Sequence, residues 1–281
     1  MAHPGPRRTS SCRAAVALFA VATFCGSALA GSINTDAALT PTAGRSILRL
    51  KYTYSEADAR DPIVQINSSS VKATFVYGVR DDLALFLSVP YKNVQIDKVV
   101  PRFGRIEEAH DGVGDLTLMA KYRFWKDDPA PGTTARWAVI GGLNFPSGDR
   151  HFSSRGFNPI LGTVFSWRRG RARVDADLIY QFNTGRGEFR HDTLRYDLAY
   201  SHRIFPAVYD LHSPVEFDAV AELNGRYRTD GSHEVFLAPG LQFITENWVV
   251  EVSVQLPVIQ KLAGGAAATD YRLTLGLRLS W

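Results

Sequence analysis

Asp175 and Asp177 are the residues of this chain best placed for acid–base chemistry, because carboxylates two apart on a strand project from one face and can flank a common substrate. Their neighbours change that reading. Arg173 shares the face, and Arg195 and Arg203 fall on the next predicted strand, so the carboxylates are expected in an ion-pair network. A second candidate is His151-Phe152-Ser153, a histidine base two residues before a serine nucleophile. It sits between Arg150 and Arg155 in a polar stretch, a poor platform for holding the two groups in register. His202 beside Ser201 is weaker still, since strand neighbours point to opposite faces. The sequence has no G-x-S-x-G, no H-E-x-x-H and no metal-ligand spacing among its histidines, and Gly170 and Gly185-Arg186-Gly187 read as turns. No catalytic residue, metal or cofactor is assigned, and the chain is not read as an enzyme.

The elements that would position such side chains are strands. The last eleven residues set the pattern: Tyr271, Leu273, Leu275, Leu277, Leu279 and Trp281 line one face, and Arg272, Thr274, Gly276, Arg278 and Ser280 the other. An unbroken apolar face opposite a charged one, ending on an aromatic, suits lipid outside and water inside. It resembles the C-terminal signal that the assembly machinery of bacterial outer-membrane barrels reads, which makes Tyr271, Leu279 and Trp281 the expected assembly signal. The start of the chain agrees. Arg7, Arg8 and Arg13 precede an apolar stretch from Ala14 to Phe24, and Ala28-Leu29-Ala30 offers a cleavage site before Gly31. Residues 1–30 are therefore expected to be a cleaved signal peptide for export, 31–44 a periplasmic N-terminal segment and 45–281 the barrel. Cys12 and Cys25 both fall in the leader, so the mature chain is expected to have no disulfide or thiol chemistry. Of 32 basic and 28 acidic residues the leader holds three arginines and no acid, so charge gives no support for a nucleic-acid partner. Without a mature run of about 18 apolar residues, a membrane fold has to be a closed barrel.

Period-two alternation recurs near 46–55, 70–77, 83–91, 115–125, 135–145, 160–167, 172–183, 193–204, 215–224, 234–243, 249–258 and 271–281. The predicted fold is an all-β, antiparallel, up-and-down transmembrane barrel of about twelve strands. The apolar sets face lipid, and the charges fall on the other face. Arg173, Asp175, Asp177, Arg195, Asp197, Arg203, Glu216, Asp218 and Glu222 are the candidate lumen-lining binding residues; Ile179 alone breaks the pattern of its strand. Tight turns at 78–82, 168–171 and 244–248 are assigned to the periplasm, with the longer 126–134 and 205–214. The connections 91–114, 146–159 and 259–270 are assigned to the outside. Tyr54, Tyr91, Phe145 and Phe182 would form the outer aromatic girdle, and Tyr77, Phe124, Trp167, Phe243 and Trp281 the inner one.

Several strings resemble the outer-membrane family known as MetA-pathway of phenol degradation, often called simply "transporter". They are Tyr77-Gly78-Val79-Arg80-Asp81-Asp82-Leu83 with Val89-Pro90-Tyr91, Gly112-Val113-Gly114-Asp115-Leu116, Pro146-Ser147-Gly148-Asp149, Leu223-Asn224-Gly225, Pro239-Gly240-Leu241-Gln242 and Gln255-Leu256-Pro257-Val258. The resemblance implies a Gram-negative outer-membrane barrel that passes small, often aromatic or apolar molecules, with outer-membrane lipid, the assembly machinery and a solute as partners. It supplies no binding residues. A porin-like passive uptake channel is the leading expectation. A lipolytic barrel similar to outer-membrane phospholipase A is the second, although Ser154-Arg155 stand where that family has Asn-Gly after its Ser. A non-conducting structural barrel is the third.

Overall fold

The computed structural model describes residues 31–60, 63–100, 104–185, 190–208, 215–264 and 266–281. The expected signal peptide, 1–30, and Arg186 and Gly187 of one expected turn lie outside the described residues. Thirteen strands form one antiparallel sheet: β1 (Ser46–Arg60), β2 (Ile63–Arg80), β3 (Leu83–Val100), β4 (Gly104–Val113), β5 (Thr117–Ala130), β6 (Thr133–Asn144), β7 (Asn158–Arg169), β8 (Ala172–Gln181), β9 (Thr193–Phe205), β10 (Val215–Arg228), β11 (His233–Thr245), β12 (Trp248–Lys261) and β13 (Ala268–Ser280). The ring closes where β13 pairs with β1, Leu50 opposite Leu277, and the Ser46 and Trp281 backbones exchange hydrogen bonds of 3.0 and 3.1 Å. Closure leaves no sheet edge in lipid, which a bilayer requires.

Twelve strands make the ring, and β4 stands outside it. β3 pairs with β5 only through Leu83–Ser88; its upper part, Tyr91–Val100, pairs with β4. The stretch 91–114, expected as one long loop, is therefore mostly a hairpin. β1 and β2 likewise run past their expected limits to Arg60 and Ile63. The reason is physical: beyond the lipid both faces of a ribbon are wet, so Arg105-Ile106-Glu107-Glu108-Ala109-His110 needs no apolar face and leaves no alternation to detect.

Within the membrane the alternation is strict. Leu85, Leu87, Leu178, Leu198, Leu223 and Leu275 are exposed on the outer wall, an apolar belt that water would not tolerate and lipid requires. Polar groups facing lipid pair with one another: Trp137 Nε1 donates to Thr163 Oγ1 at 2.6 Å, and Thr163 donates to the Ala138 carbonyl. A closed, even-stranded barrel with such a belt is the architecture of a bacterial outer-membrane protein.

A twelve-stranded ring is wider than the eight-stranded barrels that wall side chains just fill, and here more than the wall fills it. Residues 31–44, expected in the periplasm, correct that expectation. Ser32, Ile33, Thr35, Ala37, Ala38 and Thr40 are buried inside the ring, and only the final part holds the rim, where Gly44 N–H donates to Gly78 O at 2.8 Å.

Candidate functional site

The inward face of β8 carries Arg173, Asp175, Asp177 and Ile179; β9 adds Arg195, Asp197 and Arg203, and β10 Glu216, Asp218 and Glu222. All nine predicted lumen residues point inward, because each shares parity with a neighbour hydrogen-bonded across the sheet. Arg173 lies 3.2 Å from Asp175 and 3.9 Å from Asp218, and Arg195 lies 3.7 Å from Asp197 and 4.0 Å from Asp177. Arg168 joins Glu216 at 3.7 Å. Asp175 and Asp177 thus belong to a network of alternating charge.

What the sequence reading missed is that this network grips the N-terminal segment. Glu222 accepts from the Asn34 backbone at 3.0 Å, from Asn34 Nδ2 at 2.6 Å and from the Thr35 backbone at 3.2 Å. Asp177 accepts from Asp36 N–H at 2.6 Å, and Asp175 from the Ser32 hydroxyl at 2.5 Å. Asp36 in turn meets Arg195 at 3.6 Å. On the opposite wall cations do the holding. Lys51 donates to the Ile33 carbonyl and Asn34 Oδ1 at 3.0 and 2.9 Å, Lys121 to Ala37 O at 2.6 Å, and Arg278 to Ser32 O at 2.6 Å. Anionic groups on β8–β10 therefore take the segment's N–H groups, while cations on β1, β5 and β13 take its carbonyls. Backbone dipoles are satisfied from both sides of the lumen without any secondary structure.

One signal could have revealed the segment. Ile179 is the inward aliphatic that breaks its strand's pattern, and it packs with Ala138, Ile140, Ile160 and Val164 against Ala38. Aliphatic side chains facing a water-filled lumen make no physical sense unless something covers them.

Three of the resemblance strings, Val89-Pro90-Tyr91, Gly112–Leu116 and Pro146–Asp149, meet at the outer rim beside the short β3–β5 seam. Gly114 N–H donates to Pro90 O at 2.7 Å, Asp149 N–H to Val113 O at 2.8 Å, and Val113 N–H to Asp149 Oδ2 at 2.6 Å. Asp115, in the connection between β4 and β5, accepts from Gly148 N–H at 3.0 Å and from Ser154 N–H and Oγ at 2.8 and 2.6 Å. Burial works to raise its pKa, yet these hydrogen bonds hold the carboxyl below its ordinary value. A Cβ on Gly148 would lie 2.8 Å from the Gly114 carbonyl carbon, so this approach requires glycine. The loop 145–157 is thereby stitched to the wall where the ring has its fewest ladder bonds.

That stitching separates the His151–Ser153 pair. His151 stacks on His110 of β4, ring centroids 4.2 Å apart, whereas Ser153 Oγ is buried and accepts from Arg155 N–H at 3.2 Å. No hydrogen bond joins His151 to Ser153 among the described residues. Ser201 and His202 part as expected: Ser201 faces inward and accepts from Arg173 at 3.0 Å, and His202 contacts Tyr200 outside. No cluster of three metal-ligating side chains occurs among the described residues.

A family model described as "Putative MetA-pathway of phenol degradation" matches residues 64–266. No curated protein matches the chain in sequence. Among solved structures, an outer membrane channel from Pseudomonas putida F1 is similar with a TM-score of 0.61 and 14% identity over 89% of this chain and 100% of that one. The β domain of the Bordetella autotransporter BrkA (12% identity, 85% and 100% coverage) and the NanC porin (12%, 83% and 98%) each give a TM-score of 0.47. The likeness to the Pseudomonas channel is one of fold.

Proposed function

From a chain that belongs to the family described as putative MetA-pathway of phenol degradation, whose ring is filled by an N-terminal segment, we propose a passive uptake channel for small aromatic or apolar molecules across the bacterial outer membrane. The observation that carries the reading is the filling itself. A purely structural barrel is sealed by side chains of its own wall. Here the seal is a segment held mainly by hydrogen bonds and ion pairs, which water or a solute can replace one at a time. Mixed charge along the lumen argues against strong ion selectivity. The test is entry of toluene into vesicles whose outer leaflet is lipopolysaccharide. Barrel-containing vesicles are expected to fill faster than empty ones, and equal rates with a folded barrel would sink the reading.

Delivery to the membrane belongs to the same proposal, with residues 1–30 as the cleaved export signal and the barrel-assembly machinery reading β13. Its support is the exposed outward row of β13, ending in Trp281, 61% exposed at the periplasmic rim near Phe75. Tyr271 stands at the other end of that strand, its hydroxyl bonded to Glu56 at 3.0 Å. Trp281→Asp keeps the backbone bonds to Ser46 but puts a charge at the headgroup girdle. It is expected to lower outer-membrane insertion several-fold while periplasmic export continues, as membrane fractionation reads. Wild-type insertion of the variant would mean that the terminal aromatic is not part of the signal.

A further inference from the structure

Between the N-terminal segment and the wall of β1, β2, β3, β5 and β13, in the periplasmic half of the lumen, lies a cavity that opens to solvent. Its lining is unlike the rest of the lumen. Arg49, Lys121 and Arg278 border it, and no carboxylate does. Arg278 is already matched by Glu251 at 2.6 Å. Lys121 makes its hydrogen bond to a neutral carbonyl, Ala37 O, and Arg49 forms no hydrogen bond or ion pair among the described residues. A third polar group points the same way. Thr35 is 2% exposed, lines the cavity, and its Oγ1 has no hydrogen-bond partner among the described residues. The remaining wall is apolar, made of Ile47, Val76, Phe86 and Leu39, with Lys121 Nζ 5.0 Å from the Phe86 ring centroid.

We infer that this cavity is a binding site for a small amphipathic anion, an aromatic carboxylate whose ring lies on Ile47, Val76 and Phe86 while its carboxylate takes Arg49, Lys121 and the Thr35 hydroxyl. Arg49 and Lys121 feel the carboxylates of Asp36 and, around Arg49, of Glu222 and Glu251, but neither forms an ion pair in direct contact among the described residues, and an anion seated between them would supply that contact; a buried hydroxyl without an acceptor adds to the same demand. Guanidinium and ammonium together discriminate charge, and the apolar wall discriminates against small hydrated anions such as acetate or chloride. Because Thr35 belongs to the N-terminal segment and Arg49 to the wall, the ligand would bridge the two. The site rests on the uptake reading and narrows it: a carboxylated aromatic, and not solely the neutral hydrocarbon, is a cargo this lumen recognises.

The measurement is equilibrium binding of benzoate to the intact detergent-solubilised barrel, compared with benzyl alcohol and acetate. One saturable benzoate site is expected, about tenfold or more tighter than either comparison, as a charge-assisted contact combined with ring burial implies. Arg49→Gln should weaken benzoate about tenfold, with Arg49→Lys between the two, and Thr35→Val should weaken it by a smaller factor. Thr35 belongs to no strand of the ring, so its variant reports on the site even if Arg49→Gln fails to fold. Benzoate binding no tighter than benzyl alcohol or than acetate would overturn the proposal, as would unchanged affinity in a folded Arg49→Gln or in Thr35→Val. Toluene entry with no benzoate site leaves the channel standing and removes this inference. Benzoate binding without flux of toluene or benzoate does the reverse.

Discussion

Deleting residues 32–40 is expected to raise the conductance of the reconstituted barrel by about tenfold or more, since it removes material that fills a ring wider than those wall side chains just fill. The ring should survive. Its closure depends on β1 and β13, whose ladder begins at the Ser46–Trp281 pair, beyond the deleted stretch. The groups left behind are charged and hydratable: Glu222, Asp177 and Asp175 lose the donors of Asn34, Thr35, Asp36 and Ser32, and water replaces them. Glu222→Ala is the graded version. It strands two backbone N–H groups and leaves the Asn34 amide only Ser253 Oγ at 3.3 Å, each lost charge-assisted bond being worth about 1.5–3 kcal/mol, so the segment should leave the lumen part of the time. Planar-bilayer recordings should then show a low closed level with intermittent openings to the level of the deletion. Unchanged conductance of the deletion, in protein still migrating as a folded barrel, would show that the segment does not block the conducting path.

The ring was legible because lipid enforces a rule that every strand must obey. Leu178 outward and Asp177 inward follow from parity alone, and so does the inward placement of Arg173, Arg195 and Glu222. Outside the lipid the rule lapses. The β3–β4 hairpin, with Glu107, Glu108, His110 and Asp111 on a ribbon wet on both sides, has no pattern from which its pairing could be read. The N-terminal segment was hidden for a different reason. Its contacts are backbone N–H and C=O groups answered by side chains from distant strands, such as Asn34 to Glu222 across 188 positions, and backbone groups are the same in every sequence. Its trace was left on the partner surface, in aliphatic residues that turn inward without an evident reason. Ile179 was one; Val76, Ile140 and Ile160 were others of the same kind, and the aromatic Phe86 joins them. Arg49 and Lys121 fall on the inward face by parity, but which inward cations end up in a direct ion pair and which do not is a property of the folded lumen.

Leu178→Arg should cripple assembly, whereas its neighbour Asp177→Ala should assemble normally and conduct more. Leu178 lies within β8, 47% exposed on the outer wall, opposite Thr163 on β7 and Tyr196 on β9. The girdles at Trp167 and Phe182 lie toward the two ends of this region, which places Leu178 well inside the hydrocarbon. A charge near the midplane of a barrel's lipid face costs about 2–4 kcal/mol, enough to shift a marginal insertion equilibrium by tens-fold or more. Asp177 faces the other way. Its loss removes the 2.6 Å acceptor of Asp36 N–H and one of the carboxylates around Arg195, whose guanidinium keeps Asp197 and Asp36 within 4 Å. The ring is untouched, and the grip on the segment weakens. Two readouts separate the effects: the fraction of protein recovered in the outer membrane, and the open probability of what is recovered. Low recovery for Leu178→Arg with normal recovery and raised opening for Asp177→Ala is the expected pair. Equal recovery of both variants would mean that the outward and inward faces of β8 have been exchanged, and with them the lumen on which the grip and the cation site depend.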